Sequence, residues 1–124
     1  MPKLAQYEAW RNTLFQNVDT ASGRKDDLAT QWIREVENLE GVSDEMLRQE
    51  PERRFKLLDK RLALAMQRIA KDELGRKITE RLNECMRQGF AVRGRELLRM
   101  IVRSYMTNEQ AEKVYKVTDL MKVQ

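Results

Sequence analysis

Three arginines spaced by four, Arg95, Arg99 and Arg103, form the stretch of this chain best suited to a chemistry of its own. On a helix that spacing lines the three guanidinium groups along one face, with Leu97, Leu98 and Ile101 on the opposite face. Arginine forks match phosphate oxygens, so the stripe is suited to tracking a nucleic-acid backbone. With residues 76–88 as a partner helix across Gly89, it also fits one half of a helix-turn-helix placed in a DNA groove. No Asn or Gln shares the face to read bases. The competing reading is a solvated basic face that pairs with Glu96 or with the acidic region of the chain.

Other chemistries lack their parts. The 124 residues contain no histidine and a single cysteine, Cys85. A Ser/His/Asp triad, a Cys–His dyad, a zinc finger, a redox C-x-x-C pair and an internal disulfide are all excluded. The acids between Glu35 and Glu52 do not follow an EF-hand loop, and no phosphate-binding glycine loop or dinucleotide fingerprint is present. Cys85, beside Met86, reads as a buried small hydrophobe. A chain with this inventory is expected not to be an enzyme and to need no metal or cofactor.

Charge is distributed unevenly. The net charge is +4, yet residues 35–52 hold seven acids against Arg48, while residues 76–103 hold eight bases against three acids. Such polarity suits copies attracting one another head to tail, or a basic part meeting phosphates. No apolar run approaches the roughly 18 residues a membrane span needs, so no membrane partner is expected. A lone thiol and no signal-type opening segment point to a reducing compartment, with the cytoplasm the expected setting.

The elements that must position these residues are helices. A composition of 35 % charged and 41 % hydrophobic residues with five glycines and two prolines disfavours a β-sandwich. Leu4, Tyr7, Trp10, Leu14 and Val18 step by three and four, predicting a first helix over 2–18. A second is predicted over 25–39, carrying Leu28, Trp32, Val36 and Leu39 and closed by Gly41. Ser43, followed by Asp44 and Glu45, reads as the N-cap of a short helical turn.

Pro51 then opens a long helix to about residue 71, with the stripe Phe55, Leu58, Leu62, Met66 and Ile69 broadened by Leu57, Leu64 and Ala65. So wide a stripe marks the central helix. Gly75 predicts a kink or break. Ile78, Leu82 and Met86 carry a helix ended by Gly89, and a fifth follows Gly94 with Leu97, Leu98, Ile101, Val102 and Tyr105. Thr107 to Gln110 fits a capping box for a last helix holding Val114, Val117 and Met121. Trp10 and Trp32 are expected in the core, and the seven methionines as core fillers. The whole reads as a single all-α domain, a compact bundle of five to six helices over residues 1–124.

Several stretches, in this order, resemble the capsid region of Gag polyproteins from copia-type LTR retrotransposons. They are Tyr7-Glu-Ala-Trp-Arg-Asn-Thr-Leu14, Trp32-Ile-Arg-Glu-Val-Glu37, and the helix Phe55-Lys-Leu-Leu-Asp-Lys-Arg-Leu-Ala-Leu-Ala-Met66. Gly94-Arg-Glu-Leu-Leu98 and Val117-Thr-Asp-Leu-Met-Lys-Val123 complete the set. The resemblance implies the N-terminal lobe of a retroviral-type capsid: a structural protein that self-associates into a homo-oligomeric shell around the element's RNA. Departures are the missing second lobe, zinc knuckle and basic tail. The alternatives are a small nucleic-acid-binding regulator using Arg95, Arg99 and Arg103, and a helical protein–protein adaptor.

Overall fold

The apolar stripe of the first segment folds as its spacing predicts. In the computed structural model, which describes residues 4–105, helix α1 runs Leu4–Ser22, four residues past the expected end at 18. Tyr7 and Val18 are buried, and Trp10, Leu14 and Phe15 pack partly against the same core. The helix stops where Gly23 turns to φ +67°, a left-handed conformation that glycine adopts without a Cβ clash. Arg24 then grips Asp26 through two bonds of 2.8 and 2.7 Å, and Asp26 Oδ1 accepts the Leu28 N–H at 3.2 Å.

Helix α2, Leu28–Arg34, is shorter than the expected 25–39 and passes into a 3-10 turn, Glu35–Glu37. There the Asn38 N–H donates to the Glu35 carbonyl at 3.1 Å, and the tightened backbone turns its carbonyls toward Arg99. Gly41 accordingly caps no helix; its N–H donates to Asn38 Oδ1 at 2.9 Å. Helix α3, Asp44–Arg48, follows the sequence closely. Ser43 Oγ accepts the Met46 N–H at 3.2 Å, and Asp44 and Glu45 occupy the first turn, where the helix dipole favours acids.

The helix expected from Pro51 begins later. Glu52 is extended, a 3-10 turn spans Arg53–Phe55, and helix α4 runs Lys56–Ile69. Phe55 is buried with its ring stacked on Trp32, centroids 4.9 Å apart, which fixes the entry of the helix against α2. The break after α4 falls at Ala70, not at Gly75. Asp72 takes φ 56°, which a short polar side chain tolerates, and helix α5 runs Asp72–Gln88. Gly75 lies in its first turns, where a Cβ would stand 3.2 Å from the Ala70 carbonyl oxygen, so the glycine permits a tight corner. Gly89 ends α5 as predicted: at φ +89° its N–H donates to the Cys85 carbonyl at 2.9 Å.

Residues 94–105 form helix α6. Leu97, Leu98, Ile101, Val102 and Tyr105 are buried, and so are Glu96 and Arg99. Burial on nearly every side makes α6, not α4, the central helix. On α4, Phe55's successors Leu58, Leu62 and Met66 do fill the core, but Leu57, Leu64 and Ile69 are exposed. Met86 and Met46 are exposed as well, so the expectation of core methionines holds for Met66 and fails for these two. Cys85 takes the inward position beside Met86. The described residues form an all-α bundle without a strand. None of their helices is long and apolar enough to cross a membrane. The last helix expected from Thr107, with Val114, Val117 and Met121, lies outside the described residues.

Candidate functional site

The seat of α6 is built before its arginines can act. Asp59, buried on α4, accepts the Gly94 N–H on Oδ2 at 2.8 Å and the Arg95 N–H on Oδ1 at 3.0 Å. A carboxylate so placed satisfies orphan donors of the first turn and meets the positive end of the helix dipole. Burial pushes the Asp59 carboxyl above its ordinary range, while these two N–H groups and the charges of Arg95 and Arg93 pull the other way.

From that seat the arginine stripe points into the protein. Arg99 is 2 % exposed. Its Nε donates to the Val36 carbonyl at 3.0 Å, and Nη2 donates to the carbonyls of Glu35 and Asn38 at 3.1 and 3.2 Å. Nη1 donates to the Val42 carbonyl and, at 3.2 Å, to Asp44 Oδ1. Arg95 donates to the Trp32 carbonyl at 3.0 Å and lies over the Trp32 ring, 4.9 Å from its centroid. Burial pulls its guanidinium below the ordinary range, against the opposing charges of Glu35 and Asp59. Arg103 is exposed and donates to Asp44 Oδ1 at 2.9 Å.

The expectation of one open basic face is therefore corrected. Arg95 and Arg99 hold the 32–44 segment of their own chain, and only Arg103 of the three is exposed to solvent. The physical reason is a loop of inward-turned carbonyls, which five fixed N–H donors satisfy better than water can in a buried site. The acidic and basic regions meet within one copy.

A second cluster was not evident from spacing, because its members come from three helices. Glu96, 5 % exposed on α6, accepts on Oε1 from Arg48 Nε at 3.1 Å and from Arg81 Nε at 2.6 Å. Among the described residues its buried Oε2 has no hydrogen-bond partner. Arg48, Arg81, Arg99 and Arg103 together with Asp44 and Glu96 line a cavity of about 160 Å³. The one signal available beforehand was the excess of acids in 35–52 opposite the excess of bases in 76–103.

A larger open groove of about 910 Å³ adjoins this cavity, sharing Met100 and Arg103 with it, and has Tyr7, Trp10, Ile69, Leu74 and Ile101 among its walls. Trp10 is thus half-buried at a groove, whereas Trp32 is buried as expected. Among the described residues no three His, Cys, Asp or Glu side chains gather as a metal site. Cys85 is 1 % exposed, and burial pushes its thiol pKa up. Its alkylation by iodoacetamide at neutral pH is expected to run at least about 100-fold slower in the native protein than in urea. A native rate within tenfold of the unfolded one would show the thiol to be accessible. No protein family matches the chain, and no curated protein or solved structure matches it.

Proposed function

We propose that the chain is a self-assembly module of the capsid type, whose copies associate head to tail into a shell around an element's RNA. The resemblance to copia-type Gag supports the capsid and RNA parts of this reading. The observation that carries the self-association is a pair of complementary outward faces on one molecule. On α4, Leu57 and Leu64 are 61 % and 55 % exposed, two turns apart, with Lys60 and Arg61 exposed between them. Around α3, Leu39 and Met46 are exposed beside Glu40 and Glu45. Among the described residues these two bases and two acids have no ion-pair partner.

Apolar side chains framed by cations on one face, and by anions on another, suit contact between one copy's α4 and the next copy's α3 region. Such a contact is heterologous, so it propagates into rings or open arrays. Each contact can be small, below about 1,200 Å², and still assemble through multiplicity.

Light scattering over a protein dilution series, with electron microscopy of large species, tests this reading. Lys60→Glu/Arg61→Glu and Glu40→Lys/Glu45→Lys are each expected to remain monomeric alone, while an equimolar mixture associates. A wild type that stays monomeric at every concentration and salt, or association that ignores both charge swaps, rejects it.

A further inference from the structure

The geometry points to a hydrogen-phosphate site in the cavity between α3, α5 and α6, independent of whether the domain assembles. Four guanidinium groups and two carboxylates line about 160 Å³, leaving a local excess of two positive charges. That volume equals about five waters at liquid density, room for one tetrahedral anion and little more. Leu47 and Met100 complete the wall, and an apolar wall strengthens the field of the charges.

Arg99 spends all five N–H groups on its own chain and Arg81 pairs with Glu96 and Glu84, so Arg48 and Arg103 are the two guanidinium groups with donors to spare. Arg48 meets Glu96 through Nε, and Arg103 meets Asp44 through Nη2. Arg48 and Arg103 are both about half exposed, at 49 % and 51 %, so their remaining N–H groups can turn to a ligand. Forked donors of this type suit phosphate oxygens.

Glu96 decides which anion. A carboxylate beside an anion site is repulsive unless the anion brings a proton. Hydrogen phosphate carries a P–O–H that donates to a carboxylate oxygen, and buried Glu96 Oε2 has no donor among the described residues. Sulfate at neutral pH has no such proton. A phosphomonoester, whose second ionisation lies near about pH 6, carries one only in acid. The site therefore selects a protonated phosphate group, free at neutral pH or esterified below about pH 6.

Isothermal titration of the intact chain with inorganic phosphate, sulfate and methyl phosphate, at matched ionic strength, tests the site. Phosphate at pH 7.5 is expected to bind at least about tenfold more tightly than sulfate. Methyl phosphate should bind at pH 5.5 and weaken by about tenfold at pH 7.5, which separates the esterified source from the free one. Arg48→Ala and Arg103→Ala should each weaken phosphate by about tenfold or more. Glu96→Gln should erase the preference over sulfate. Equal weak binding of both anions, meaning an adventitious ion only, overturns the proposal, as does no binding. Unchanged affinity in both arginine variants overturns it too. Should Glu96→Gln fail to fold, the wild-type anion comparison and the two half-exposed arginines still decide.

Discussion

Replacing Arg99 with methionine is expected to remove about 4 kcal/mol or more of stability, a large fraction of the roughly 5–15 kcal/mol that holds a domain folded. Methionine retains an unbranched side chain of similar reach but supplies no donor. The carbonyls of Glu35, Val36, Asn38 and Val42 then lose a partner that reaches them from α6, and Asp44 loses one of its two arginines. Each buried acceptor left unpaired costs about 1–3 kcal/mol, and the losses overlap because the loop relaxes as a unit. Arg99→Lys should recover less than half of the loss. An ammonium is a compact point charge with three donors and cannot span five acceptors arranged around a planar fork. Urea denaturation followed by circular dichroism measures both variants. A loss below about 1 kcal/mol for Arg99→Met would mean that water replaces the guanidinium, contrary to the burial of the site.

Gly94→Ala is expected to be the most damaging addition of a single methyl group. A Cβ at Gly94 would stand 2.7 Å from the Ala63 nitrogen and 2.8 Å from Leu62 Cβ, and closer still to the Asp59 carbonyl oxygen. These are backbone or stem atoms of α4, so no flexible side chain can swing away. Relief requires α4 and α6 to separate, which stretches the bonds from Gly94 and Arg95 to Asp59. Overpacking together with a weakened cap should cost about 3 kcal/mol or more. Gly23→Ala is the control: nothing lies within 4 Å of its Cβ, and only its φ of +67° opposes substitution. That change should cost about 1 kcal/mol. Asp59→Ala measured in the Gly94→Ala background should cost less than alone, because the contact it supports is already strained. Strict additivity would show that the close approach and the cap are separate features.

These two sites mark what was legible in the sequence. The α1 stripe, the Ser43 cap and the Gly89 stop are local patterns, decided by residues within a turn of one another, and all three stand where spacing put them. The direction of the Arg95–Arg103 face is a different kind of fact. Charged residues at four-residue steps read as a solvated face, and here that rule yields to a loop of carbonyls brought in from 32–42. No local pattern announces carbonyl groups that need donors. The same limit explains α4 and α6. Leu57 and Leu64 widened the α4 stripe on paper, yet the core closes over α6, whose one turn of Leu97, Leu98, Ile101 and Val102 is flanked by charges that are themselves buried. Glu96 and Arg99 lowered the apparent hydrophobicity of the most enclosed helix in the bundle.

The order in which a ribosome delivers this chain gives the Arg99 clamp another meaning. The carbonyls it holds belong to residues 35–42, and their donor arrives 57–64 positions later. At about 5–20 residues per second, translation needs roughly 3–13 s to cross that gap. Through that interval those oxygens rely on local N–H groups such as those of Asn38 and Val42, and the nascent α2–α3 region stays open to water, proteases and chaperones. Synthesis halted before residue 94 leaves a fragment that includes the acidic segment but not the helix that closes it. Completion of the chain, more than collapse of its first half, is then what commits the protein to its fold.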